Sequence, residues 1–151
     1  MFLRYVLFSM SVITGLVILK INIFPYLLWQ FGTVGDTGAV LYEMLCLALG
    51  GLALIVYLAF GHCGRYKYRL RADLHFLASL LLQWPFIIPG WSDMRPHAPA
   101  TWMYSFIEGW CSLLAEPIRL LLFTYPWTDI LAVFLSLLLI FVGRRAKFSL
   151  P

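Results

Sequence analysis

Charge is what this sequence has least of. Charged residues make up 12% of its 151 positions, against about 25% in an average soluble domain. Cysteine and histidine are scarce too, three of each. No Cys-x-x-Cys, His-x-x-x-His or His-Glu-x-x-His spacing occurs, so neither a metal site nor a catalytic metal motif is legible. His62 and Cys63 close one apolar stretch and His75 opens the next, an arrangement that two facing helices would need to ligate haem. With His97 expected on the opposite side and no supporting motif, haem is disfavoured. Cys46, Cys63 and Cys111 fall at three different depths, so no disulfide is natural. There is no nucleophile elbow, and no Ser, His and carboxylate share a depth. No residue is assigned a catalytic or metal-binding role.

Apolar residues are abundant: 62% of the chain is hydrophobic and 17% aromatic, with a mean hydropathy of +0.87. That excess excludes a water-soluble globule, a disordered tail and a disulfide-stapled module. At roughly 20 residues per crossing, the length allows about four spans. The runs are residues 3–28, 39–60, 72–91 and 127–142. The first is read as a retained span, since no small-x-small cleavage site precedes a polar region. A tight turn is expected around Gly32, Gly35, Asp36 and Gly38, and a kink or stop at Pro85 and Pro89.

Residues 101–119 behave differently. Thr101, Ser105, Glu108, Ser112, Glu116 and Arg119 recur every three or four positions and draw one polar stripe. Met103, Phe106, Ile107, Trp110, Leu114 and Ile118 fill the opposite face. Such regularity predicts an amphipathic helix in the interface plane; a span with its polar face turned into a bundle is the alternative. Pro117 is expected to bend or stop it.

The charges decide between the two. With four spans, Arg4, the loop residues Arg65, Lys67, Arg69 and Arg71, and the tail residues Arg144, Arg145 and Lys147 share the cytoplasmic side with a single acid, Asp73. The remainder holds Lys20, Arg95 and Arg119 against six acids. A fifth span would put the basic tail outside. The expected fold is therefore an all-α membrane protein, four transmembrane helices in a bundle plus one interfacial helix between spans three and four, with both termini cytoplasmic. Tryptophans 29, 84, 91, 102, 110 and 127 all fall in or near the outer half, as headgroup-level aromatics do. The net charge of +4 is then a topology signal. The basic and aromatic run Arg65-Tyr66-Lys67-Tyr68-Arg69 is read as contacting lipid headgroups, together with Arg71, Arg144, Arg145 and Lys147, and not nucleic acid.

Lys20 and Glu43 are the sharpest functional candidates. Each lies within a span at similar depth below the outer face, where an ionisable side chain marks a site by default. They can pair, Lys20 can snorkel to the headgroups with Glu43 remaining wet, or the two can hold a ligand or move a proton. Glu108, Glu116 and Arg119 form an outer docking-surface candidate or a polar lid over the Lys20–Glu43 region, with the Glu116–Arg119 spacing also that of an ordinary helix-surface pair.

Several features fall in a familiar order. Arg4 opens span one, which continues through Gly15 to Lys20. Glu43 precedes Leu49-Gly50-Gly51-Leu52-Ala53-Leu54 in span two, and the chain closes with Gly143 and then Phe148-Ser149-Leu150. In this order the sequence resembles the DoxX-like family of small four-span membrane proteins. It departs at Pro151, where the family has Asp, and in its longer 91–127 segment. The resemblance implies a four-helix membrane fold in a bacterial or archaeal cytoplasmic membrane and a link to redox complexes; members include the membrane subunit of thiosulfate:quinone oxidoreductase. The favoured expectation is a non-catalytic membrane subunit, in contact with the bilayer and with other membrane subunits, packing within a larger redox complex. The alternative is a quinone-linked oxidoreductase subunit. In it, Lys20 would hold a quinone oxygen and Glu43 exchange its proton, with Tyr42 and Trp84 as the aromatic surroundings.

Overall fold

The computed structural model describes residues 1–31, 36–87, 101–122 and 127–146. Among them there is no strand. The elements are α1 (Phe2–Phe31), α2 (Asp36–Tyr66), α3 (Ala72–Leu82), α4 (Trp84–Ile87), α5 (Thr101–Leu122) and α6 (Thr128–Arg145). Two helices, Phe2–Phe31 and Thr37–Tyr66, are long and apolar enough to cross a membrane. At 1.5 Å per residue each is about 45 Å long, which exceeds a hydrocarbon core of roughly 30 Å. Both run past the apolar stretches expected from sequence, because Gly61, Cys63 and Gly64 continue the helix of α2. Of the expected turn, residues 32–35 lie outside the described residues, and Gly38 is already helical.

The third apolar run breaks just ahead of Pro85, where a kink or stop was expected. α3 ends at Leu82 and Gln83 turns, its N–H reaching the Leu80 carbonyl at 2.9 Å. Pro85 explains the position: its missing N–H cannot bond Leu81, and its ring disfavours a helical Trp84 continuing from α3. Proline is tolerated in the first turn of a new helix, and α4 begins there. Residues 88–91 of the expected span lie outside the described residues. Pro117 does not stop α5, which continues to Leu122.

Burial follows the helical period. On α1, Tyr5, Ser9, Ile13, Val17, Lys20 and Phe24 form one buried stripe. On α6 the buried stripe is Thr128, Ala132, Ser136, Ile140 and Gly143, while Ile130, Phe134, Leu138 and Phe141 are exposed. Apart from Ile140, the buried positions carry small or hydroxyl side chains, and large apolar side chains lie on the outer face. Small residues let α6 meet α2 at backbone distance. A Cβ on Gly61 would overlap the Ile140 carbonyl, and one on Gly143 would overlap the Leu58 carbonyl. No side chain larger than hydrogen fits at either position.

α5 packs along α1, α2 and α6. It buries Ile107, Trp110, Leu113, Leu114 and Ile118, and it turns part of its polar stripe inward as well. Ser112 and Glu116 of that stripe face α1 and α2, as described below.

The start of α1, the end of α2, the start of α3 and the end of α6 meet at one end of the molecule. There the Tyr5 hydroxyl reaches α2 and α3, and Arg144 reaches the α2–α3 connection. That connection closes with Lys67 and Tyr68 N–H groups on the Cys63 carbonyl and Leu70 N–H on Gly64. Arg69 adopts the left-handed conformation, φ 49°, which helix ends normally give to glycine.

Candidate functional site

Among the described residues the buried ion pair is Lys20 with Glu116, their charged atoms 2.5 Å apart. Glu43 is exposed on α2 and turned away from this pair. The helical period gives the reason. Tyr42 and Cys46, four residues apart, project from α2 toward α5, and Glu43 sits about 100° round from Tyr42. The inward face of α2 therefore offers a hydroxyl and a thiol, and the carboxylate comes from α5.

Every polar hydrogen donor in this cluster has a partner. The Lys20 ammonium donates to the Ser112 carbonyl at 3.3 Å, the Ser112 Oγ at 2.6 Å and Glu116 Oε2 at 2.5 Å. Glu116 also accepts from the Tyr42 hydroxyl at 3.0 Å, on Oε1, and from the Cys46 thiol at 3.3 Å, on Oε2. Ser112 Oγ in turn donates to the Gly109 carbonyl at 3.1 Å. An ammonium has three N–H donors and no acceptor, so Lys20 is saturated by the protein itself. A group so paired keeps its charge out of water at tolerable cost, whereas the same lysine without Glu116 would be a buried bare charge.

Beside the cluster lies a cavity of about 250 Å³ lined by Lys20, Phe24, Tyr42, Glu108, Ser112 and Glu116, among others. Of the sequence candidates, Lys20, Tyr42, Glu108 and Glu116 meet here. Glu43 does not. Trp84 packs edge-on to Trp110, ring centres 6.4 Å apart, and does not line this cavity. Arg119 is exposed. Glu116 leaves the expected docking surface altogether, since its carboxylate is held from α1 and α2. Ser112 and Cys46 were not singled out by sequence as site residues. Ser112 was legible as the residue one turn before Glu116 on the same stripe; nothing in the sequence marks Cys46.

A second polar cluster sits about 22 Å away along α1, the rise from Tyr5 to Lys20. Arg144 Nη1 donates to the Leu70 carbonyl at 3.1 Å and to His75 Nδ1 at 3.0 Å, and Nη2 donates to Leu70 at 3.1 Å. A guanidinium only donates, so Nδ1 must accept, and the neutral ring carries its proton on Nε2. That N–H points to the Tyr5 oxygen at 2.9 Å, and the Tyr5 hydroxyl donates to the Phe60 carbonyl at 3.3 Å. Gly64 makes room for the ring, since a Cβ there would overlap it. The expected headgroup residues divide accordingly. Arg144 is turned inward. Arg65 donates to the Arg144 carbonyl at 3.0 Å, and Lys67 lies over the Phe8 and Tyr68 rings. Arg69 is exposed, Arg71 is 3.9 Å from Asp73 at the surface, and Arg145 covers the Phe141 ring at 4.5 Å. Lys147 lies outside the described residues.

No protein family, curated protein or solved structure matches the chain. Among the described residues no group of three or more His, Cys, Asp or Glu is placed to hold a metal ion, and the three cysteines are free.

Proposed function

We propose that this chain is a small integral membrane subunit, with no catalytic machinery of its own, that packs within a larger membrane complex. One observation carries the reading: the inverted surface of α6, with Thr128, Ser136 and Gly143 buried and Ile130, Phe134, Leu138 and Phe141 exposed. In water that arrangement forfeits the burial that stabilises a fold. In lipid there is no such loss, and helices associate through small and hydroxyl-bearing faces. α1 and α2 repeat the pattern, with Leu3, Leu7, Ile18, Met44, Leu52 and Ile55 exposed and the ionised Lys20 inside.

In this reading α1, α2, the α3–α4 unit and α6 cross the bilayer, with both termini and the arginine-rich end cytoplasmic. α5 does not lie flat on the outer surface; it enters from that side as a wedge, because Glu116 must descend to the depth of Lys20. The exposed apolar faces then meet lipid or neighbouring subunits. Resistance of the chain to alkaline carbonate extraction tests the membrane assignment, and native electrophoresis after mild-detergent extraction tests the complex. Release by carbonate, or migration as a lone 17.4 kDa chain, would overturn the corresponding half.

The cavity beside Lys20 and Tyr42 supports a second reading, a DoxX-like, quinone-linked redox subunit. Here a quinone oxygen would replace one Ser112 acceptor on Lys20, and Tyr42 would pack on the ring. Glu43 has no part in it. Lys20→Met would then abolish quinone reduction in the assembled complex; unchanged turnover would remove this reading.

A further inference from the structure

α3 and α6 diverge along a groove, and the residues lining it change character from one end to the other. The groove has a volume of about 650 Å³, within the roughly 300–1,000 Å³ range of ligand pockets. Phe76, Leu77, Leu80, Leu137 and Phe141 make its walls apolar, and Arg144, His75 and Asp73 close one end. We infer that this groove holds one anionic phospholipid, an acyl chain between α3 and α6 and the phosphate at Arg144.

Charge complementarity selects this occupant. Arg144 spends three of its five N–H donors on Leu70 and His75. Two remain for phosphate oxygens, and guanidinium–phosphate bonds are among the strongest a side chain makes. Asp73, the one acid among the described residues at this end, is offset by Arg71 at 3.9 Å, and Arg145 follows Arg144 in the chain. The uncharged imidazole of His75 adds no competing positive centre, and it fixes the guanidinium in place. An apolar helix from a partner would fill the walls of the groove but leave both arginine donors without an acceptor. A zwitterionic lipid would bring its own cation to an end already rich in arginine.

The inference rests on the membrane reading, and the test separates the two. The full-length chain is extracted in mild neutral detergent from vesicles containing equal phosphatidylglycerol and phosphatidylcholine, and retained lipid is counted by native mass spectrometry. The expected result is one phosphatidylglycerol per chain in preference to phosphatidylcholine. Leu137→Trp, which fills the groove and keeps every charge, should weaken retention by about tenfold or more, as should Arg144→Gln, since a hydrogen bond to a charged group is worth roughly a factor of ten. Arg119→Gln, distant from the groove, should leave retention unchanged. Equal retention of the two lipids by the wild-type chain overturns the inference, whatever the variants do. So does undiminished retention in a folded Leu137→Trp chain, or a dimer whose formation that substitution blocks, which would show a second copy in the groove. A carbonate-extractable wild type would instead refute the membrane reading itself.

Discussion

Removing one member of the Lys20–Glu116 pair should cost far more than removing both. Lys20 is 9% exposed, so the Lys20→Met variant strands the Glu116 carboxylate with only the neutral Tyr42 and Cys46 donors. Breaking one partner of a buried ion pair costs about 3–5 kcal/mol. Because the Glu116 side chain keeps 20% exposure and two donors, the lower end applies, about 3 kcal/mol. Glu116→Gln leaves Lys20 charged beside Ser112 and an amide oxygen, for a loss of about 2–3 kcal/mol by the same argument. The double variant removes both charges and strands only hydroxyl and thiol groups, a cost of about 1–2 kcal/mol. The cycle then closes with a coupling of about 3–5 kcal/mol. That value decides the point, because ordinary interhelical hydrogen bonds in a membrane protein average only about 0.6 kcal/mol. The assay is unfolding in mixed detergent micelles, followed by the fluorescence of the six tryptophans. Additivity of the two substitutions to within about 0.5 kcal/mol would refute the pairing. In the same assay Glu43→Gln should fall within about 0.5 kcal/mol of wild type, as an exposed substitution does.

Other outcomes follow from single contacts. Gly61→Ala or Gly143→Ala drives a methyl into a facing carbonyl on the α2–α6 seam and should destabilise by about 1–3 kcal/mol or more. Gly15→Ala and Gly51→Ala meet nothing within 4 Å and should gain up to about 1 kcal/mol of helix propensity; micelle unfolding compares all four. Nitrogen-15 NMR of His75 should show a protonated Nε2 and a bare Nδ1, and Tyr5→Phe, which leaves that N–H without its acceptor, should cost about 1–3 kcal/mol. The opposite tautomer would contradict the Arg144 contact. Arg69→Gly should raise stability by up to about 1 kcal/mol, because arginine at φ 49° carries the left-handed penalty that glycine does not.

The helices were legible because their signals are local. Apolar runs with few charges gave α1 and α2, the three- and four-residue recurrence of Ser105, Glu108, Ser112 and Glu116 gave α5, and the arginine-rich end was readable from charge position alone. Lys20 could be named as a buried charge from its place in an apolar run. Its partner could not. The break in the third run was legible from Pro85, and the structure places the turn at Gln83.

The sequence by itself determined which segments are helical, which faces are apolar and where the positive charges gather, since each is set within a few turns of one helix. Tertiary structure alone decided that Lys20 meets Glu116 and not Glu43, that Arg144 turns inward to His75, and that Gly61 and Gly143 face each other's helix backbone. Those choices depend on how each helix is rotated and where it crosses its neighbour. One residue along a helix moves a side chain by about 100°, enough to exchange Tyr42 facing α5 for Glu43 facing outward. Rotation and crossing are settled by close packing over the whole bundle, which no short stretch of sequence contains.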